Sequence, residues 1–392
     1  VTIKFLSEQP KKMKPLRTYT LLKNFALQLV QPFISFVSAA NGIMGEQLAL
    51  ISSASTVLPS LAQFALGFLR VRAKTLVTYG TALTGLLWIA LSFSPFNWTF
   101  TSLYLALEVS LGVSSFGWYL LMERVSGTAR GRTLAHFSFY ATIGGLIATV
   151  ITGFAVGSDF SLVRPFFLAS GLLLLADSLI AMNFDVDSLP LERGRSPTLE
   201  LEVLPYLLIT FLFNVVWSMA WPLFPIAQVY IFHMDFTNLA IMSVISGVST
   251  LFMQKKVGKL VDEHRRLMMF LGRFALSTFP LAYALSTSVY EIYLAEVVAG
   301  FTNSVGSTAY MAYLFDSSRD VRRGIGAYSV MVATGDLVGS SVGSLVADDV
   351  MSAYGVGAIR WLFAVIAVLR MLASAFYLIL KERKPFKEVA RA

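Results

Sequence analysis

The chain has 392 residues, of which 56% are hydrophobic and 14% are charged, and its formal net charge is +8. Soluble domains carry about 25% charged residues, so this composition excludes a protein whose whole surface faces water. The sequence contains no cysteine, which excludes disulfides, thiolate catalysis and cysteine-based metal sites.

The apolar residues occur in runs of roughly 20, the length that an α-helix needs to cross the hydrocarbon core of a bilayer. The sequence lacks the alternating pattern of a membrane β-barrel. We therefore predict an all-α polytopic membrane protein with twelve transmembrane helices. The predicted spans, numbered one to twelve, cover residues 20–42, 48–69, 74–94, 100–121, 133–155, 163–184, 203–226, 237–254, 267–286, 290–313, 324–346 and 358–380.

Basic residues are concentrated on one side of the predicted spans. Of the 31 Lys and Arg residues, the exceptions are Arg164, Arg273, Arg360 and Arg370. Positively charged loops stay in the cytoplasm, so we predict a multi-pass protein of the plasma or inner membrane with both termini in the cytoplasm. The positive charge then contacts lipid headgroups. No nucleic-acid partner is expected, and we expect a monomer.

One polar, proline-containing segment interrupts the chain near its midpoint. It covers residues 185–202 and contains Pro190 and Pro197. We predict that it is a cytoplasmic linker between two bundles of six helices. The expected domains are a cytoplasmic N-terminal segment, two bundles and a cytoplasmic tail, at residues 1–19, 20–184, 203–380 and 381–392.

The two halves contain similar residues in the same order and at a nearly constant spacing. The pairs include Asn24 with Asn214, Pro32 with Pro222, Tyr104 with Tyr293, Glu108 with Glu296, Gly112 with Gly300, and Arg164 with Arg360. Parallel repeats of this kind are found in transporters whose halves are related by an axis along the membrane normal.

The loop after span eight reads Gly258-Lys259-Leu260-Val261-Asp262-Glu263-His264-Arg265-Arg266. Together with the repeated halves, it resembles the G-x-L-x-D-x-x-x-R signature of the major facilitator superfamily of secondary transporters. The resemblance implies two pseudo-symmetric six-helix bundles and transport by alternating access. It also implies a cytoplasmic latch, which in this sequence comprises Gly67, Arg72, Glu123, Arg130, Gly258, Asp262, Arg265, Arg266, Asp316 and Arg323. The first copy of the loop has Val71 in place of the acid.

Polar side chains recur along one helical face in spans one, four, seven and ten, the helices that line the central cavity in the family. Polar groups at membrane depth normally face protein or a water-filled cavity, so we predict that these residues line the substrate pathway. An alternative is that their amides join neighbouring helices. The residues are Asn24, Gln28, Gln31, Ser115, Tyr119, Asn214, Trp217, Trp221, Asn303 and Tyr310.

Three acidic residues lie within predicted spans: Glu108, Glu296 and Asp336. Burial penalises the charged form of a carboxyl group, which lets such a group take up and release a proton. We predict that all three take part in proton coupling. Structural hydrogen bonding is the alternative for the two glutamates, and an ion pair with Arg370 is the first expectation for Asp336.

Asp177 and Arg273 lie nearer the cytoplasmic ends of spans six and nine. Long charged side chains near helix ends commonly extend to the membrane surface. We expect both residues to do so.

The expected function is secondary active transport of a small organic solute, coupled to protons. The four pathway spans contain no basic residue apart from Lys23, and carriers of anions need cationic side chains, so anionic substrates are disfavoured. Carboxylates and aromatic rings suit a cation. We therefore prefer an antiporter that exports a cationic or amphipathic compound. Proton-coupled uptake of a sugar or another neutral nutrient is the alternative.

Other function classes find little support in the sequence. Only three histidines are present, and H-E-x-x-H and G-x-S-x-G motifs are absent, so we do not expect an enzyme. We expect no cofactor and no metal. The sequence contains no phosphate-binding loop, so ATP hydrolysis is not indicated. A sensor that retains a transporter fold is a remote alternative.

Overall fold

The structure, a computed structural model, describes residues 2–66, 69, 71–126, 130–184, 202–317 and 321–382. Some side chains within these ranges are not described. They belong to residues 2–13, 123–126, 130–136, 138, 139, 315 and 321–323.

The described residues form helices joined by short turns, and no strand occurs among them. The helices of the first half are α1 Thr2–Gln28, α2 Ile34–Ala40, α3 Gly45–Leu66, α4 Ala73–Phe93, α5 Trp98–Ser126, α6 Arg130–Val156 and α7 Val163–Met182. Those of the second half are α8 Leu204–Ser218, α9 Leu223–Tyr230, α10 Phe236–Glu263, α11 Arg265–Ala275, α12 Thr278–Leu285, α13 Val289–Glu296, α14 Ala299–Gly306, α15 Ala309–Ser317, α16 Val321–Tyr354 and α17 Ile359–Ala375. An all-helical membrane protein is therefore confirmed.

Within the described residues, nine helical segments are long and apolar enough to cross a membrane. The predicted spans one, five and ten are not among them. Span one is divided between α1 and α2, span ten is divided among α13, α14 and α15, and part of span five has no described side chains. Twelve spans and cytoplasmic termini remain predictions.

Two prolines that the sequence pairs as repeats lie at equivalent helix breaks. Pro32 belongs to the short 3-10 turn between α1 and α2, and Pro222 lies between α8 and α9. Proline has no backbone N–H and clashes with the preceding helical turn, so it interrupts a helix. The first helix of each half is therefore broken at the same point.

The chain forms two compact units. The first comprises the described residues of Val1–Ile43, Ala54–Arg195 and Asp235–Ala240. Within it, α4 and α7 approach through two glycines: a Cβ on Gly85 would lie 2.8 Å from the carbonyl oxygen of Gly171. Backbones can pack this closely only where side chains are absent, and such packing holds helices together in lipid.

The second unit comprises the described residues of Met44–Ser53, Ser196–Met234 and Ile241–Ala392. Gly335, Gly339 and Gly343 of α16 recur at every fourth position and face α8 and the residue that follows it. A Cβ at these positions would contact the carbonyl oxygens of Phe211, Val215 and Met219, respectively. The glycine stripe is thus a surface of close helix packing.

Equivalent residues of the two halves make the same contacts. Arg164 donates from Nη1 to the carbonyl oxygen of Ser92 at 2.9 Å, and Arg360 donates from Nη1 to that of Ser286 at 2.9 Å. Each arginine also lies over a phenylalanine ring. The repeated sequence therefore produces a repeated structure at the start of the last helix of each half.

We predict that Gly339→Ala destabilises the protein. The added methyl group would meet the carbonyl of Val215, and overpacking typically costs about 1–3 kcal/mol. Gly258→Ala is the matched control, because a Cβ added at this glycine would have no atom within 4 Å and alanine favours a helix by up to about 1 kcal/mol. Thermal unfolding in detergent should show a lower midpoint for the first variant only. Equal midpoints would contradict the packing role of the stripe.

Candidate functional site

Glu108 on α5 is buried in the first unit, with 1% of its surface exposed. The Nε2 atom of Gln31 donates to Glu108 Oε1 at 3.1 Å. Tyr104, one helical turn earlier, is also hydrogen-bonded to this carboxyl group. The structure therefore brings together a predicted coupling acid and a predicted pathway amide from two different helices.

The other polar residues of span one are partly exposed. Asn24 donates from Nδ2 to the carbonyl oxygen of Thr20 at 2.7 Å in its own helix. Gln28 accepts at its backbone carbonyl from Thr149 Oγ1 at 3.2 Å. Both side chains, like Gln31, are half-buried, and their place on one pathway-lining face remains a prediction.

The polar face of α5 is not continuous. Ser115 is half-buried and Tyr119 is 59% exposed. Gly112, which lies between Glu108 and these residues, packs against Pro59: a Cβ at Gly112 would lie 2.7 Å from Pro59 Cα. The contact with α3 therefore separates Glu108 from the other predicted pathway residues of this helix.

Glu296 differs from its repeat partner Glu108. It is half-buried and lies at the last position of α13, with Tyr283 as an electrostatic neighbour. Tyr293 precedes it by three positions, whereas Tyr104 precedes Glu108 by four. With one residue fewer between the tyrosine and the glutamate, the two side chains differ in their relative position around the helix. The tyrosine–glutamate arrangement of the first half is therefore not repeated.

Arg273 on α11 is buried, with 7% of its surface exposed. Its guanidinium carbon lies 4.2 Å from the ring centre of Tyr310, 4.6 Å from that of Phe213 and 5.5 Å from that of Trp217. The expectation that Arg273 extends to the membrane surface is therefore wrong. The face of α11 that carries Arg273 packs inside the second unit, so ring faces replace water around the charge.

Two of the rings around Arg273 belong to predicted pathway residues. Trp217 is half-buried and packs edge to face against Trp221, with ring centres 5.1 Å apart. Tyr310 is 2% exposed and donates its hydroxyl to the carbonyl oxygen of Met269 at 2.8 Å. The sequence showed these aromatic residues but could not show that an arginine from another helix lies against them.

The remaining pathway candidates of the second half are separate from this cluster of rings. Asn214 is completely buried, donates to the carbonyl oxygen of Thr210 at 2.7 Å and packs against Gly335. Asn303 is exposed, and its Nδ2 lies 3.4 Å from hydroxyls of α10. Asn214 thus contributes to helix packing, whereas Asn303 remains accessible.

Asp336 and Arg370 are both buried, at 0% and 1% exposure. Arg370 donates from Nη1 to the carbonyl oxygen of Leu276 at 2.8 Å and from Nη2 to that of Trp217. Asp336 has Tyr328 as an electrostatic neighbour. The contacts described for Arg370 are therefore with backbone carbonyls, and its ion pair with Asp336 remains a prediction.

A second pair of buried charges lies in the first unit. Asp177 on α7 is 0% exposed, so the expectation that it reaches the membrane surface is also wrong. Its electrostatic neighbour is Lys23, whose Nζ donates to Ser114 Oγ at 3.0 Å. Opposite charges in spans one and six were the available signal, but spacing within one helix does not reveal which helix lies beside it.

Several predicted latch residues meet at the start of α11. Arg265 forms an ion pair with Asp316 of α15, and its Nη2 lies 3.9 Å from Asp262 Oδ1. The side chain of Asp316 is 18% exposed and that of Asp262 is 75% exposed. Asp316 is therefore the main partner of Arg265, although the signature motif pointed to Asp262.

The other latch candidates are more scattered. Arg266 interacts with Glu382, at 3.6 Å between Nε and Oε2, a partner that the sequence did not predict. Arg72 lies directly before α4, and Gly258 has open space beside it. Gly67 lies outside the described residues, and the side chains of Glu123, Arg130 and Arg323 are also not described.

We predict that Asp316→Asn destabilises the second unit more than Asp262→Asn. Removing one member of a largely buried ion pair leaves a charge without its partner, at a cost of about 1–3 kcal/mol for partial burial. An exposed pair contributes at most about 1 kcal/mol. Thermal unfolding of both variants in detergent measures the difference. A larger loss for Asp262→Asn would show that the signature aspartate is the main partner.

The described residues contain no cluster of three or more His, Asp and Glu side chains that could hold a metal ion. The site candidates are instead a buried carboxyl group in the first unit and a buried guanidinium in the second.

Similar solved structures include three transporters. A mutant of the nucleoside transporter NupG has a TM-score of 0.69 at 12% identity, covering 94% of this chain and 100% of its own. A POT family transporter in complex with a thioalcohol-conjugated peptide has a TM-score of 0.75 at 11% identity, covering 94% and 96%. A D-xylose-proton symporter has a TM-score of 0.69 at 12% identity, covering 95% and 98%. At such identities the likeness establishes a shared fold.

The family model of the Major Facilitator Superfamily matches residues 206–392. This match covers just under half of the chain, so it shows that the second half resembles the superfamily. No curated protein is significantly similar to it in sequence. The resemblance predicted from the repeated halves and the loop after span eight is therefore confirmed by a family match over the second half of the chain, and the match and the similar structures indicate a transporter and not an enzyme.

Proposed function

We propose that this protein is a proton-coupled secondary active transporter of the major facilitator superfamily that moves a small organic solute by alternating access. Glu108 carries the proposal of proton coupling. Its carboxyl group is 1% exposed, and its described hydrogen-bond partners, Gln31 and Tyr104, have no positive charge.

A buried ionised carboxylate without a cationic partner is unfavourable by several kcal/mol. Binding a proton removes the charge, and renewed contact with water restores it. A carboxyl group that is buried in one conformation and hydrated in another therefore exchanges protons in step with the conformational change.

We propose uptake of a non-cationic solute in preference to efflux of a cation. Trp217 and Tyr310, the rings that would attract a cationic substrate, already face the guanidinium of Arg273. A second cation at the same rings would be repelled by that charge. The names of two similar structures, a D-xylose-proton symporter and a nucleoside transporter, support uptake of a polar solute.

We predict that Glu108→Gln abolishes solute-driven proton movement. The test uses proteoliposomes that contain the pH dye pyranine, with D-xylose, uridine or tetraphenylphosphonium added outside. With the wild-type protein, a non-cationic solute should cause acidification, either D-xylose or uridine or, for an organic-acid substrate, 4-aminohippurate added in the same way. With Glu108→Gln the signal should fall to that of protein-free liposomes. Tetraphenylphosphonium should be inactive.

Glu291→Gln is the matched control. Glu291 is exposed and caps the start of α13, and glutamine can replace glutamate in such a cap. It should retain wild-type proton movement, and Glu296→Gln should lose part of it if the half-buried acid shares the role. Undiminished acidification in Glu108→Gln would overturn the coupling proposal, and alkalinisation of the lumen by tetraphenylphosphonium would restore the cation–proton antiporter.

A further inference from the structure

Arg273 is the buried cation whose contacts are least complete among the described residues. Its Nε has no hydrogen-bond partner there, and its described neighbours are the ring faces of Phe213, Trp217 and Tyr310. A guanidinium has five N–H groups in a planar fork. Ring faces attract the charge but leave these directional donors unused, so the group is available to an additional acceptor.

The hydroxyl groups near Arg273 are already committed elsewhere. Tyr310 donates to the carbonyl oxygen of Met269, Tyr206 donates to that of Tyr310 at 2.9 Å, and the hydroxyl of Tyr377 lies 3.3 Å from Thr210 Oγ1. The hydroxyls of these three tyrosines are therefore not free to bind a ligand, whereas the Nε of Arg273 has no described partner.

Arg370 adds positive charge to the same region. It is an electrostatic neighbour of Arg273, but its two terminal nitrogens already donate to the carbonyls of Leu276 and Trp217. The acid described beside the cluster is Asp336, an electrostatic neighbour of Tyr328. Two guanidinium groups and one carboxyl group give this buried region an excess of positive charge.

The side chains of the cluster are not equally buried. Trp217 and Tyr328 are half-buried, whereas Tyr206, Phe213 and Tyr310 are almost completely buried. A ligand of the guanidinium would therefore approach on the side of the two less buried rings, Trp217 and Tyr328.

We infer that Arg273 binds the carboxylate of an organic acid, which would be the substrate of this transporter. The planar fork of a guanidinium matches the two oxygens of a carboxylate, and the aromatic walls suit an apolar or aromatic body. The inference rests on the proposed transport function and names its substrate class. It also reverses the expectation from the sequence that anions are disfavoured, because the cation comes from span nine and not from the four pathway spans.

The test measures binding of three probes to the purified protein in lipid nanodiscs by calorimetry. Benzoate carries the carboxylate, benzamide is its neutral counterpart, and benzylamine is an aromatic cation. Benzoate should bind at least about tenfold more tightly than benzamide, the difference expected for a charge-assisted pair, and benzylamine should not bind. Equal affinity for benzoate and benzamide, or binding of benzylamine alone, would overturn the inference.

Variants locate the site. Arg273→Gln should lose benzoate affinity by about tenfold or more, and Arg273→Lys should retain part of it because the charge remains without the fork. Arg360→Gln is the matched control, since Arg360 also lies over an aromatic ring, that of Phe232. Unchanged affinity in Arg273→Gln would remove Arg273 from the site.

If Arg273→Gln does not fold, a second variant tests whether benzoate binds at this site. Trp217→Ala keeps the guanidinium and removes one wall, so benzoate affinity should fall while Arg360→Gln binds normally. Wild-type affinity in Trp217→Ala would contradict the site. Glu108→Gln should bind benzoate as the wild type does, because the measurement requires no proton gradient. Loss of proton movement with retained benzoate binding would therefore separate the two proposals.

Discussion

Polar groups at membrane depth have no bulk water to bind, and each is costly unless the chain itself provides a partner. The helices satisfy the backbone, and the glycines of α16 and α7 let neighbouring backbones approach closely enough for packing to hold them together. The same requirement governs the side chains. Among the described contacts, Glu108 is bound by an amide and a tyrosine, Arg370 by two carbonyls, and Arg273 by ring faces.

The contacts of these three buried groups have different consequences. Arg370 donates from both terminal nitrogens, although its Nε has no described partner, and it fixes the position of the Trp217 backbone. Glu108 is held by neutral groups, so its charge state can follow its surroundings. Arg273 retains donors that its described neighbours do not use. The degree to which each charge is satisfied thus separates residues that maintain the structure from residues that are available for chemistry.

Much of the fold could be predicted because it depends on local patterns. Runs of apolar residues predicted the helices, and the pairing of Pro32 with Pro222 matched two helix breaks. The pairing of Arg164 with Arg360 likewise corresponded to a repeated contact. Each of these features follows from one helix or from comparing two similar segments.

The candidate site was harder to predict from the sequence, because it depends on which helices are neighbours. Position near a helix end suggested that Asp177 and Arg273 reach the membrane surface, but tertiary packing places both on buried faces. The signature motif drew attention to Asp262, whereas the ion pair of Arg265 is completed by Asp316 from a different helix. Periodicity shows which side chains share a face and does not show what lies opposite that face.

Spans four and ten, which occupy equivalent positions in the two halves, differ in mechanical stiffness. α5 is one helix of 29 residues, about 43 Å long, whereas α13, α14 and α15 have 8, 8 and 9 residues, each about 12–14 Å long. A continuous rod transmits a displacement along its whole length. A chain of short rods, each too short to be stable alone, absorbs displacement at its joints, so the second half is expected to bend locally where the first half must tilt as one piece.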